Sequence, residues 1–278
     1  MSDWLARAVR HRSFMIGGVL TFVLLALAVV SLFWTPNNPY RLNIRMRLKP
    51  PSLDYLLGTD AFGRDVVSQL MVGAQNSIVV GVIAVAIGLS LGVTLGLIGA
   101  ARRGWLEEVI MRFSDFTLAF PAVLSAILLT AIFGPGSLNS IVAIGIYNIP
   151  VFARLSRAAG NAIWSRDFVT ASRACGKGAF RITVEHVLPN IIPIIVVQAT
   201  IQFAIAILAE AALSYLGLGT QPPTPSWGRM LNEAQTHVFT TPSLAIYPGL
   251  AIAFSVLGLN LLGDGLRDLI DPKLARQR

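Results

Sequence analysis

The chain has 278 residues, of which 54% are hydrophobic and only 13% charged, and its formal net charge is +8. Soluble domains carry about a quarter charged residues, and here the charges gather in short segments between long uncharged runs, which excludes a soluble fold because soluble helices keep a polar face. The single cysteine, Cys175, excludes an internal disulfide, and His11, His186 and His237 share no ligand spacing, so no metal site is expected.

A helix needs roughly 20 apolar residues to cross the hydrocarbon core. Span one is Phe14 to Trp34. It is too long for a signal-peptide core and lacks a small-x-small cleavage site, so it is expected to be retained. A polar stretch rich in Pro, Asp and Arg follows, from Thr35 to about Gln75. Span two is about Ser77 to Ala101, span three about Asp115 to Phe133, and span four about Leu138 to Phe152, interrupted by Asn148 and Pro150. A charged segment covers Ala153 to Glu185. Span five is about Ile191 to Leu213, a Gly/Pro-rich loop covers Gly217 to Pro242, and span six is Leu244 to Leu262 before a short charged tail. The expected fold is an all-α integral membrane protein with about six transmembrane helices. Its organisation is an N-terminal span with an extracytoplasmic segment over residues 1–75, then a core over residues 76–278 whose charged inner loop lies at about 153–186.

Lys and Arg concentrate in inner loops. With both termini inside, all but six of the 22 Lys and Arg fall on inner segments, and the six are Arg41, Arg45, Arg47, Lys49, Arg64 and Arg229. This bias reads the excess positive charge as topology rather than as a nucleic-acid surface. Asp54, Asp60 and Asp65 among the outer cations predict a folded element. Pro121 within span three and Pro193 at the start of span five are tolerable where neighbouring helices satisfy the freed carbonyls. Gly88, Gly92 and Gly96 recur every four residues, which puts three glycines on one face of span two for close helix packing.

The inner segment Ser165 to Gly176 reads as a short helix. Ser165 is placed to cap it, Asp167 lies in its first turn, and Gly176 is a natural stop. Phe168, Ala171, Ser172 and Cys175, at i, i+3, i+4 and i+7, form a narrow face of mostly small side chains, with Arg166, Arg173 and Lys177 off it. A second short helix leads to Pro189. On the residues alone, insertion into a groove on another protein and a basic loop that only fixes topology stand level. Glu210 lies in or near the outer end of span five, and an ionisable residue there is a functional candidate. It and the i, i+4 pair Gln198 and Gln202 are candidates for lining a pathway or for bridging helices. Asp264 and Arg267, at the inner end of span six, read as a structural ion pair.

The inner segment resembles the coupling-helix signature of ABC-importer permeases: Glu-Ala-Ala, three residues, Gly, nine residues, Ile-x-Leu-Pro. Ala171, Gly176, Leu188 and Pro189 match it, while Thr170 replaces the acid, Ser172 the second Ala and His186 the Ile. Phe168 to Gly176 with His186 to Asn190 is similar to the peptide subfamily's version of that signature. Leu57 to Asp65 (LGTDAFGRD), Leu213 to Gly219 (LSYLGLG) with Pro223 to Gly228 (PTPSWG), and Asn260 to Asp268 (NLLGDGLRD) with Asp271-Pro272 resemble three more signatures of the same subfamily, in order across most of the chain. The chain is thus identified as resembling the second, C-type permease of dipeptide, oligopeptide and nickel importers.

That resemblance implies a type I importer permease in a bacterial inner membrane. It would pair with a homologous second permease, sit on two ATP-binding subunits, and receive substrate from an extracytoplasmic binding protein. ATP and Mg²⁺ belong to the partner subunits; this chain would bind no cofactor and catalyse nothing, in keeping with the lack of a Gly-x-x-x-x-Gly-Lys-Ser/Thr run. Arg166, Phe168, Ala171, Ser172, Arg173 and Gly176, with Leu188 and Pro189, would form the ATPase-coupling loop. Asp60, Gly63, Arg64 and Asp65 are candidates for binding-protein contact or gating, set against a folded turn stapled by Arg64 to an Asp, which is slightly favoured. Peptides are the expected cargo, with nickel complexes and glutathione as alternatives. A proton-coupled secondary transporter is the alternative of another class, but it needs titratable groups at the midplane.

Overall fold

The structure is a computed structural model and describes residues 7–270; Asp271, Pro272, Lys273, Arg276 and Arg278, on which part of the C-terminal signature and of the charge bias rests, lie outside the described residues. Among the described residues these α-helices carry the fold: α1 Arg12–Phe33, α2 Val66–Ala101, α3 Trp105–Ala119, α4 Ala122–Phe133, α5 Ser137–Trp164, α6 Asp167–Ala174, α7 Ala179–Ile182, α8 Leu188–Tyr215, α9 Trp227–Ala234 and α10 Ser243–Ile270.

Five stretches, α1, α2, α5, α7 through α8, and α10, are long and apolar enough to cross a membrane. The sixth crossing is broken. Phe120 and Pro121 are extended between α3 and α4, and the two helices meet at 85°. Proline removes a donor and disfavours helix in the residue before it, and at Pro121 the helix breaks outright. The pair still joins opposite ends of the bundle. Glu107 on α3 accepts from Arg157, near the end of α5, at 2.6 Å, whereas the amide of Gly136, just beyond α4, donates to Leu218 beyond α8 at 3.1 Å.

Several helices outrun their expected limits. Asp65 caps α2 by accepting from the Ser68 amide (3.0 Å), so the helix begins within what reads as polar loop and runs 36 residues. The boundary expected at residue 75 therefore falls inside an unbroken helix. α5 runs through Asn148 and Pro150 to Trp164, so Ala153 to Trp164 is helix rather than loop. The loop from Gly217 to Pro242 holds α9, whose Trp227 ring lies against Gly73 and donates to the Leu70 carbonyl at 3.0 Å. Ser165 does not cap α6. It ends α5, with its hydroxyl donating to the Ala162 carbonyl, and Arg166 takes the cap position without a side-chain bond.

The glycine stripe of α2 packs within the chain. Gly88 faces Asn148, Gly92 faces Ile149, Phe152 and Ala153, and Gly96 faces Ala153 and Ser156, all on α5. Omitting three side chains lets the two backbones approach to the depth small-xxx-small motifs allow. α1 crosses α10 similarly, Gly17 lying against the backbone at Gly258 and Leu261. Its outward residues, such as Phe22 and Leu32, are exposed, as a lipid-facing helix requires.

Candidate functional site

At the end of the bundle where α5 stops, α6 and α7 form a short hairpin into α8. Val169 is the buried side chain of α6, while Phe168 (46% exposed), Ala171 and Cys175 face outward and Ser172 is half-buried. The face built from Phe168, Ala171, Ser172 and Cys175 is thus largely free of the chain's own core. Gly176 has φ of +81°. The Gly176 amide donates to Arg173 and the Lys177 amide to Ser172, at 2.9 and 3.1 Å, which is a Schellman stop. Arg166 is exposed. Arg173 is also exposed, but its guanidinium lies 4.8 Å from the centre of the Trp164 ring, so part of its surface is already engaged. A single π-type turn, Thr183–Val187, joins α7 to α8, where Leu188 is half-buried and Pro189 exposed.

The opposite end carries a polar network. Asp60 accepts from the Phe62 and Arg64 amides (both 2.8 Å), from Arg64 Nε (2.6 Å) and from Gln69 (3.0 Å). Arg64 continues to Glu233 of α9, which also accepts from Arg229 at 2.8 Å. Gly63 has φ of +75°, and a Cβ there would run into the backbone of Asn43. Asp60, Arg64 and Asp65 are all buried. They hold the turn, as the stapled reading had it, and fasten residues 35–65 to α9.

Glu210 is also turned inward. It is 1% exposed, and one carboxylate oxygen accepts from Ser214 (2.6 Å), Thr220 (3.2 Å) and Asn76 (3.3 Å). The contacts tie α8 and the turn after it to α2. Gln202 is buried as well. Gln198 alone of the three reaches a groove, an open cleft of about 480 Å³ between α5, α8 and α10 lined by Leu155, Pro193, Val197, Gln198 and Arg267 among others. Asp264 and Arg267 form no ion pair; instead Asp268, one residue on, places Oδ2 3.2 Å from His11 Nε2 at the start of α1. Glu233, Thr220 and Asn76 were not foreseen, and no local pattern marks them.

The described residues thus form a helical bundle with an outward-facing helical hairpin at one end. Residues 92–276 match the family described as binding-protein-dependent transport system inner membrane component. The chain belongs to that family. As such it is a multi-pass inner-membrane permease of an ABC importer. It is 42% identical over 271 residues to a di/tripeptide transport system permease protein, DppC, of Pseudomonas aeruginosa, covering 95% of this chain and 89% of that one. It is 39% identical over 269 residues to a glutathione transport system permease protein, GsiD, of Pectobacterium atrosepticum, covering 96% and 89%. An inward-facing structure of the MetNI methionine ABC transporter shares the fold, with TM-score 0.61 at 17% identity over 73% of this chain and 97% of that one. The family read from the four motif segments is therefore the family found. Permeases of this family work with ATP-binding and substrate-binding components, which makes the exposed hairpin a candidate coupling site.

Proposed function

We propose that this permease is one half of the translocation pathway of a peptide importer, paired with a homologous second permease, two ATP-binding subunits and an extracytoplasmic binding protein. Both termini and the α6 hairpin lie on the cytoplasmic side, following the distribution of Lys and Arg. ATP and Mg²⁺ are bound and turned over in the partner subunits. Di- or tripeptides are the cargo, with glutathione the second choice, because relatives of near-equal similarity carry those names. The observation that carries the coupling assignment is the outward face of α6 on a fixed frame. Phe168, Ala171 and Cys175 are exposed while Val169 is fully buried. Closure of the ATPase dimer would grip this face, with Arg166 at its rim, and move α6 as a lever on α5 and α8.

Mild detergent extraction by a C-terminal tag should bring down a second permease and ATPase chains in near-stoichiometric amounts. Recovery of the chain alone, under conditions that keep other complexes intact, refutes the assembly. A second expectation concerns Gly176→Leu. There is open space around Gly176, so the substitution meets no neighbour, but it places a branched side chain at φ of +81°. That costs about 1–2 kcal/mol at the hairpin stop and should leave membrane content normal while ATP hydrolysis no longer drives uptake. Normal uptake by this variant removes the coupling role from the hairpin.

A further inference from the structure

Two of the three positions at which the chain departs from the coupling signature touch each other: His186 Nε2 lies 3.1 Å from Ser172 Oγ. The same nitrogen is 3.3 Å from Lys177 Nζ, and the ring sits edge-on to Phe168 with centroids 6.1 Å apart. An ammonium group only donates. Nε2 is therefore assigned as the acceptor, its single lone pair shared between Lys177 and the Ser172 hydroxyl, with the ring proton on Nδ1. One side chain from the π-type turn thus meets the first turn of α6 through Phe168, its last turn through Ser172, and the stop behind it through Lys177. Several charged groups near this contact also have partners of their own. Glu185 takes Lys177 and Arg181 (2.6 and 2.5 Å), Arg173 lies over Trp164, and Arg157 is paired with Glu107. Trp164 and Arg173 hold α6 to the end of α5, and His186 is its corresponding hold on α8. π-type turns interrupt the regular hydrogen-bond ladder and recur at functional sites, and here the wider turn carries a ring that reaches α6.

We propose that His186 is the positioning residue of the coupling hairpin: by accepting from Ser172 and Lys177 it locks α6 to α8, so that displacement of α6 is passed to the membrane span rather than absorbed in the turn. This rests on the reading of α6 as the ATPase-engaging helix, and the test separates the two.

Cys175 is the chain's single cysteine, is exposed, and ends α6. A nitroxide spin label attached there, in the full chain in lipid nanodiscs, reports the order of α6 without any partner present. His186→Leu should mobilise the label, and His186→Gln, whose amide oxygen still accepts, should restore the wild-type spectrum. In the assembled importer, uptake of a labelled dipeptide per ATP hydrolysed should fall about fivefold in His186→Leu, the factor corresponding to one net hydrogen bond, and recover in His186→Gln. The double variant Ser172→Ala/Lys177→Met, which removes both donors at half-buried positions, should behave as His186→Leu does and serves if that variant fails to accumulate. An unchanged label spectrum in the double variant, or a coupling ratio equal to wild type, overturns the proposal. So does a His186→Gln variant as impaired as His186→Leu, since ring shape and not acceptance would then be the requirement. Absence of ATPases from the wild-type preparation instead refutes the reading of α6, with the label result unaffected.

Discussion

Arg64→Ala is expected to destabilise the chain by about 3–5 kcal/mol, the range for removing one partner from a buried charge network. Arg64 is the cation between two acids: its Nε bonds Asp60 at 2.6 Å and its Nη2 bonds Glu233, with Arg64 itself 6% exposed. Without it, among the described residues, Asp60 keeps only amide and Gln69 donors, and Glu233 keeps only Arg229. The loss is local to one end of the bundle, where it frees residues 35–65 from α9 and exposes the start of α2. Thermal unfolding in detergent, followed by retention of a monodisperse peak, measures it. The triple variant Arg64→Ala/Asp60→Asn/Glu233→Gln should recover much of the loss, because it removes the uncompensated charges along with the cation. Melting of Arg64→Ala at the wild-type temperature contradicts the assignment of this network as the clamp of the outer turn.

Gly92→Leu should prevent accumulation of folded protein, at a cost of about 3 kcal/mol or more. A Cβ at this position would overlap the Ile149 carbonyl and lie 2.7 Å from the Phe152 Cβ and 3.1 Å from the Ala153 amide nitrogen. Two of those obstacles are backbone, so no rotamer change relieves them and α2 and α5 must separate. Gly92→Ala should already be impaired. Gly18 of α1 supplies the control, since nothing lies within 4 Å of a Cβ built there and Gly18→Ala should be neutral or slightly stabilising through helix propensity. Equal yields of Gly92→Leu and Gly18→Ala from membranes would show that the α2–α5 contact is not this close.

Much of the α6 hairpin was legible in the residues. The small-residue face, the Asp167 first turn and the Gly176 stop follow from local rules of helix geometry and capping, and they appear as expected. The misplacement of the cap at Ser165 has an equally local cause: α5 extends to Trp164, which leaves Ser165 closing one helix rather than opening the next. The extent of α5 itself was not legible, because Asn148 and Pro150 weaken the apolar run while the packing of Gly88 against Asn148 holds the helix through it. Glu210 and the Asp60–Arg64 pair were visible as charged residues in unusual places, but their facing was not. A carboxylate near a membrane end is equally compatible with a pathway and with a ring of hydroxyls.

The sequence by itself determined that the chain crosses the bilayer several times and to which family its motifs belong. Each apolar span and each motif is read from about 20 consecutive residues. Only the tertiary structure decided that Arg64 meets Glu233 across 169 positions, that Asn76 and Thr220 close around Glu210, and that the third crossing is broken at Pro121 by 85°. The physical reason is that apolar surface is matched to lipid by composition alone, whereas a buried polar group must find its partner wherever the packed helices bring one within hydrogen-bond reach.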